Sequence, residues 1–184
     1  TSDNALHTFG SRQVADIGEV NMADPKTLVD FATWAIKTYP ADKYVLIMSD
    51  HGMGWPGGWS DPSPSVSGDR SVPIGQALGN VLLLHKLDAA LGSIISSTGI
   101  GKFEMIGMDA CLMSHLEVYS ALTPYAYYAV ASQETEPALG WAYTKILQEL
   151  TANPNMSGAQ LGKAIVSSYI QDDQRILDSA ARAE

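Results

Sequence analysis

The 184 residues make one domain, 1–184, or most of one, and are enough to bury a single sizeable core. A hydrophobic fraction of 46% and a charged fraction of 17% exclude a disordered chain. The net charge of −9, with only 11 scattered Lys and Arg, argues against nucleic acid as a partner and leaves cationic peptides and metal ions open, while no apolar run approaches the roughly 20 residues a membrane span requires.

The N-terminus, Thr1 to His7, has no initiator Met, no basic leader and no apolar signal core, and reads as cut rather than begun. Residues 1–23 are weakly patterned. Asp24 then offers a cap and Pro25 suits the first helical position. Leu28, Phe31, Ala32, Ala35 and Tyr39 follow at spacings of three and four, which predicts a helix with one buried face. Lys43–Met48 is a continuous apolar run of strand length ending in Ser49-Asp50-His51-Gly52, the pattern of a parallel strand covered on both sides. From Met53 to Pro73 the chain turns to Gly, Pro, Ser and Asp with Trp55 and Trp59, and reads as one long loop with Arg70 its only basic residue. Ile74–Thr98 reads as mainly helical, clearest from His85, with Leu87, Leu91, Ile94 and Ile95 on one face and Gly99 as the stop.

A second buried strand, 103–108, delivers Asp109-Ala110-Cys111, the sole cysteine, and a helix is expected directly after it through Leu112, Leu116, Tyr119 and Leu122. Tyr127–Ala131 is a third strand, running into Ser132–Glu136. Helices at about 141–152 and 158–183 complete the chain, with Ser157 as a cap for the second; the last pattern stops at Glu184 without a stop signal, again the mark of a fragment. Helix and strand alternate, so the fold class is α/β with a mostly parallel sheet. His51, Cys111 and Ser132–Glu136 then fall along one carboxyl edge, where open α/β sheets keep their sites.

This juxtaposition suits nucleophilic catalysis. A thiolate needs a partner that supplies a proton, here His51, and amide donors for the oxyanion. Gly52 and Cys111 can give these, and a cysteine at a helix start would also gain from the helix dipole. The competing readings are a buried structural cysteine, a structural His51 and a rival base at His115. A Cys111–His115 metal pair lacks the further ligands a zinc site needs.

The blocks Tyr39–Tyr44, Asp50-His51-Gly52, Asp109–Met113 with Leu116-Glu117-Val118, Pro124-Tyr125-Ala126, and Ala131–Pro137 to Gly140-Trp141 closely resemble the clostripain family of cysteine peptidases. The resemblance runs from about Gly18 to Trp141. It implies a caspase-like α/β/α fold lacking an N-terminal strand, helix and second strand, with a Cys111–His51 dyad and oxyanion amides from Gly52 and Cys111. It also implies cleavage after Arg or Lys, with Asp109 at the base of the specificity pocket. Ser132, Glu134, Glu136 and Trp141 are expected to wall the cleft, against a reading as surface charge beside a packed Trp. The alternative for Asp109 itself is a cap on the helix that follows it. Family habit further implies self-cleavage between His and Cys, for which Arg70 is the candidate, and chains that stay associated afterwards. It places the protein outside the cell or in its envelope. No cofactor is required, and calcium is optional, with Asp61 and Asp69 as oxygen donors. A catalytically silent caspase-like module binding a basic peptide is the rival from another class.

Overall fold

The computed structural model describes residues 12–61, 73 and 78–172; Arg70, Asp69, His7 and the helix expected beyond 172 lie outside them. In chain order the elements are α1 (Pro25–Thr38), β1 (Val45–Ser49), β2 (Gly57–Ser60), β3 (Val81–Leu83) and α2 (Leu84–Thr98). Then come β4 (Phe103–Asp109), α3 (Leu116–Leu122), β5 (Ala126–Ala131), α4 (Tyr143–Ala152) and α5 (Gly158–Gln171).

β4 lies between β1 and β5, and both pairings are parallel: Val45 is opposite Met105 and Ser49 opposite Asp109, while Phe103 is opposite Ala126 and Met108 opposite Ala131. Because side chains alternate across a strand, the sheet has two apolar faces. Leu46, Met48, Ile106 and Met108 pack with Ala32 and Ile36 of α1, Leu87, Leu91 and Ile94 of α2, and Val118 and Leu122 of α3. On the other face Met105 packs with Ile146 of α4 and Leu161 and Ile165 of α5, joined by Ile47 and Val130. The result is the expected α/β/α sandwich, and burial on both faces is why β1 and β4 read as unbroken apolar runs.

Local signals hold where they are strong. Asp24 caps α1 through a 2.8 Å bond from the Lys26 N–H with Pro25 following, and α2 ends on Gly99 at φ 75°. Ser157 caps α5 in a full capping box with Gln160.

Four expectations need correction. The buried stripe of α1 runs through Ala32 and Ile36 with Leu28 and Val29 beside it; Phe31 is 60% exposed and packs on Trp34, which meets Tyr39 edge-on. The stretch after His51 is not one loop, since Gly57–Ser60 pairs antiparallel with Val81–Leu83 in a separate two-stranded ribbon. That same pairing interrupts the apolar segment expected to be helical from 74, so α2 starts at Leu84. The helix after Cys111 starts only at Leu116, whose side chain is 81% exposed, because Cys111 and Leu112 form a turn first.

Candidate active site

Three chain segments meet at the carboxyl edge of the sheet. The first is the exit from β1. His51 is exposed, and its carbonyl accepts the Trp59 N–H at 2.8 Å, while Gly52 bridges Gly58 and the Met53 N–H reaches the Gly57 carbonyl at 2.9 Å. This tight ribbon pins the histidine backbone to β2. Gly52 itself is pressed on the second segment: a Cβ there would lie 2.2 Å from the Cys111 carbonyl oxygen and 2.9 Å from the Met113 side chain. Only a residue without a side chain permits that approach.

The second segment is the turn at the end of β4. Cys111 is half-buried, and its Sγ accepts the Glu136 N–H at 3.2 Å, with the Glu136 carbonyl 3.7 Å away. The sulfur is thus met by a backbone donor, and not by the N-terminus of a following helix, since α3 begins five residues later. Leu112 adopts φ 61°, in the left-handed region that a branched side chain adopts at a cost of about 1–3 kcal/mol. The strain is held by bonds to the third segment, the Leu112 N–H to the Glu134 carbonyl at 3.1 Å and the Ser114 N–H to the Ser132 carbonyl at 2.8 Å. The Gly52 and Cys111 N–H groups, by contrast, donate no hydrogen bond among the described residues.

The third segment is 132–141. Ser132 is half-buried and its Oγ accepts the Glu134 N–H at 3.1 Å; the Glu134 side chain is exposed. Trp141 is 3% exposed, with its ring against Gly107, where a Cβ would come within 3.0 Å. It therefore stands behind the cleft and offers a substrate little surface. Its indole N–H donates to both Glu136 carboxyl oxygens at 3.2 Å, and its backbone N–H to Asp109 Oδ2 at 3.1 Å.

Asp109 is 4% exposed. Its Oδ2 also accepts the Tyr143 hydroxyl at 2.8 Å and Ser49 Oγ at 3.4 Å. Asp109 thus does not cap the helix that follows it; it reaches across to the segment entering α4. Tyr143 was not legible as a site residue, because its partner lies 34 positions away and only the sheet brings the two together. Burial, followed by the adjoining Asp109 carboxylate, pushes the Tyr143 phenol well above its ordinary range, so it stays a neutral donor. Glu136 is pushed up to about 7, first by burial and then by the charge of Asp109, against the opposing pull of the Trp141 indole.

His115 is half-buried with its ring against Gly54, where a Cβ would sit 2.8 Å from Cε1. Among the described residues no three His, Cys, Asp or Glu side chains converge as a metal site, and no helix is long and apolar enough to cross a membrane.

A parallel sheet sandwiched by helices, with a cysteine turn at the end of its middle strand and a His-Gly turn closed on it, defines a caspase-like α/β domain built around one thiol. Residues 10–177 match the model of the clostripain family, peptidase C11, and the chain belongs to that family. It is 30% identical over 141 residues to clostripain of Hathewaya histolytica, an alignment covering 73% of this chain and 26% of that protein. Among solved structures it resembles a secreted C11 cysteine protease from Bacteroides thetaiotaomicron bound to an irreversible peptide inhibitor, with TM-score 0.60, 24% identity, and 83% of this chain on 38% of that one. An inactive zymogen C11 protease from Parabacteroides distasonis gives TM-score 0.57 at 24% identity, with 91% of this chain on 40% of that one. The chain thus spans about a quarter of clostripain and two fifths of the solved proteases.

Proposed function

We propose that this domain carries the catalytic centre of an endopeptidase that cleaves after Arg, or Lys, through Cys111. The observation that carries this reading is the closure of Gly52 onto the Cys111 carbonyl. It joins the His51 turn to the cysteine turn, and the Gly52 and Cys111 N–H groups have no acceptor among the described residues. In this reading the Cys111 thiolate, steadied by the Glu136 N–H, attacks the scissile carbonyl carbon. The oxyanion takes the Gly52 and Cys111 N–H groups, and His51 gives a proton to the leaving amine. Water then resolves the thioester, with His51 as base. Asp109 provides the negative charge at the base of the specificity pocket, with Glu136 beside it. Trp141 acts by positioning Glu136, while Ser132 and Glu134 shape the loop that covers the thiol. The likeness to the secreted protease from Bacteroides thetaiotaomicron supports a location outside the cell or in its envelope. Self-cleavage at Arg70 with retained association of the chains, and a role for calcium, belong to the same reading.

A fluorogenic peptide with Arg at the cleaved bond tests it, using the protein with whatever sequence flanks this chain. Turnover should be thiol-sensitive and vanish in Cys111→Ala and His51→Ala. Asp109→Asn should lose about 10²–10³ in kcat/KM for Arg substrates, the equivalent of removing one partner of a buried charge pair at about 2–5 kcal/mol. Binding of the peptide without turnover or labelling of Cys111 would instead establish the silent module. An unchanged intact mass in the active form would dispose of cleavage at Arg70.

A further inference from the structure

We propose that Asp109 and Glu136 hold one proton between them in the unliganded protein and release it to solvent when a basic side chain enters. Recognition of a cation and deprotonation of the pocket are then one event. This rests on the reading above that the pocket takes Arg or Lys.

The geometry is that of a carboxyl pair built without its counter-ion. One residue, Trp141, grips both groups, Asp109 through its backbone N–H at 3.1 Å and Glu136 through its indole at 3.2 Å. The two carboxyls are themselves within hydrogen-bonding contact. Neither has an Arg or Lys ion pair among the described residues. Two carboxylates that close, one of them 4% exposed, cannot both ionise cheaply, so one proton stays.

The donors decide where that proton resides. Three of them converge on Asp109 Oδ2, from Trp141, Tyr143 and Ser49. Glu136 has the indole N–H divided between its two oxygens and an additional pull from the Ala110 N–H, so it carries the proton. Its titration near 7 agrees with this. The titratable groups facing it are Asp109 at the end of β4, Tyr143 at the start of α4 and the Cys111 thiol against its own N–H. Tyr143 stays neutral throughout. On entry of a guanidinium or ammonium group, the Glu136 O–H bond breaks, the proton passes to buffer, and the ligand's positive charge, itself still protonated, takes its place between two carboxylates.

Calorimetry of N-acetyl-L-arginine amide binding, in buffers of different ionisation enthalpy, reads the proton directly. The Cys111→Ala protein serves as host, so that the thiol does not titrate. Close to one proton, ~0.9 per ligand, should leave at pH 6 and ~0.1 at pH 8, with affinity rising about tenfold between them. In Cys111→Ala/Glu136→Gln both trends should vanish. Binding without release at pH 6, or release that persists in the Gln variant, overturns the proposal and leaves the cation pocket standing. Failure to bind at any pH removes the pocket and the proposal together. Should the Gln variant not fold, infrared difference spectra of the Cys111→Ala protein decide the matter. Ligand added at pH 6 should abolish one carboxylic acid C=O band, and an unchanged band refutes the shared proton.

Discussion

Gly52 shows how much of this site depends on an atom that is absent. Its Cα lies so close to the Cys111 carbonyl that a methyl group would overlap a backbone oxygen, which has no rotamer by which to move away. Gly52→Ala must therefore push the His51 turn off the cysteine turn. The expected cost is about 1–3 kcal/mol of stability, as for other overpacked positions, and about 10²-fold in turnover, because displacing a reacting group by an ångström is enough for that. Urea unfolding beside peptide turnover checks both. A variant with normal kcat would show that the two turns need not touch for catalysis. Sequence could nominate Gly52, since a glycine after the candidate histidine invites an oxyanion reading, but it could not show that the constraint comes from Cys111. Tyr143 is hidden for the opposite reason: an aromatic at a helix start is ordinarily packing, and its hydrogen bond to Asp109 spans 34 residues; Trp141 can be nominated, but not its backbone bond to Asp109 across 32 residues.

At the scale of elements, legibility followed locality. Asp24-Pro25, Gly99 and Ser157 mark helix ends through contacts within a few residues, so the start of α1, the end of α2 and the start of α5 can be read directly. The ribbon of β2 and β3 could not, since Gly57-Gly58-Trp59-Ser60 has no apolar alternation and its partner is more than twenty positions on. The late start of α3 is not legible, because the turn at Cys111-Leu112 depends on carbonyls of 132 and 134, which amphipathic spacing does not report. The capping box of α5 makes a local prediction. Ser157→Ala removes the acceptor for the Gln160 N–H and should cost about 1 kcal/mol. The midpoint of urea unfolding should fall with no change in slope, and turnover should be unaffected because α5 packs on the sheet face rather than its carboxyl edge.

At the scale of the whole molecule, the continuous apolar runs of β1 and β4 make the parallel sheet and its carboxyl edge legible, so the sequence alone places His51, Cys111 and the 132–136 loop along one edge. What the pattern could not convey is that one acidic pair at that edge couples the fold to pH. Folding raises Glu136 from its ordinary value of 4.5 to about 7, so across that interval the folded state binds more protons than the unfolded one. The slope of stability with pH is then negative: the contribution is full below about 4.5 and is lost as pH rises through about 7. The full shift would amount to about 3 kcal/mol, but the group is only half-buried, and solvent screening reduces this to about 1–2 kcal/mol. In a protein of this size that corresponds to a fall in Tm of about 3–6 °C between pH 5 and pH 8 beyond whatever other groups contribute. Glu136→Gln, made in the same Cys111→Ala host, keeps the indole hydrogen bond and cannot ionise. Subtracting its melting curve from that of the host isolates the carboxyl, because histidines and distant acids titrate alike in both. The variant should be the more stable of the two at pH 8, with the gap closing toward pH 5; parallel curves across that range would mean that Glu136 titrates as an ordinary surface acid.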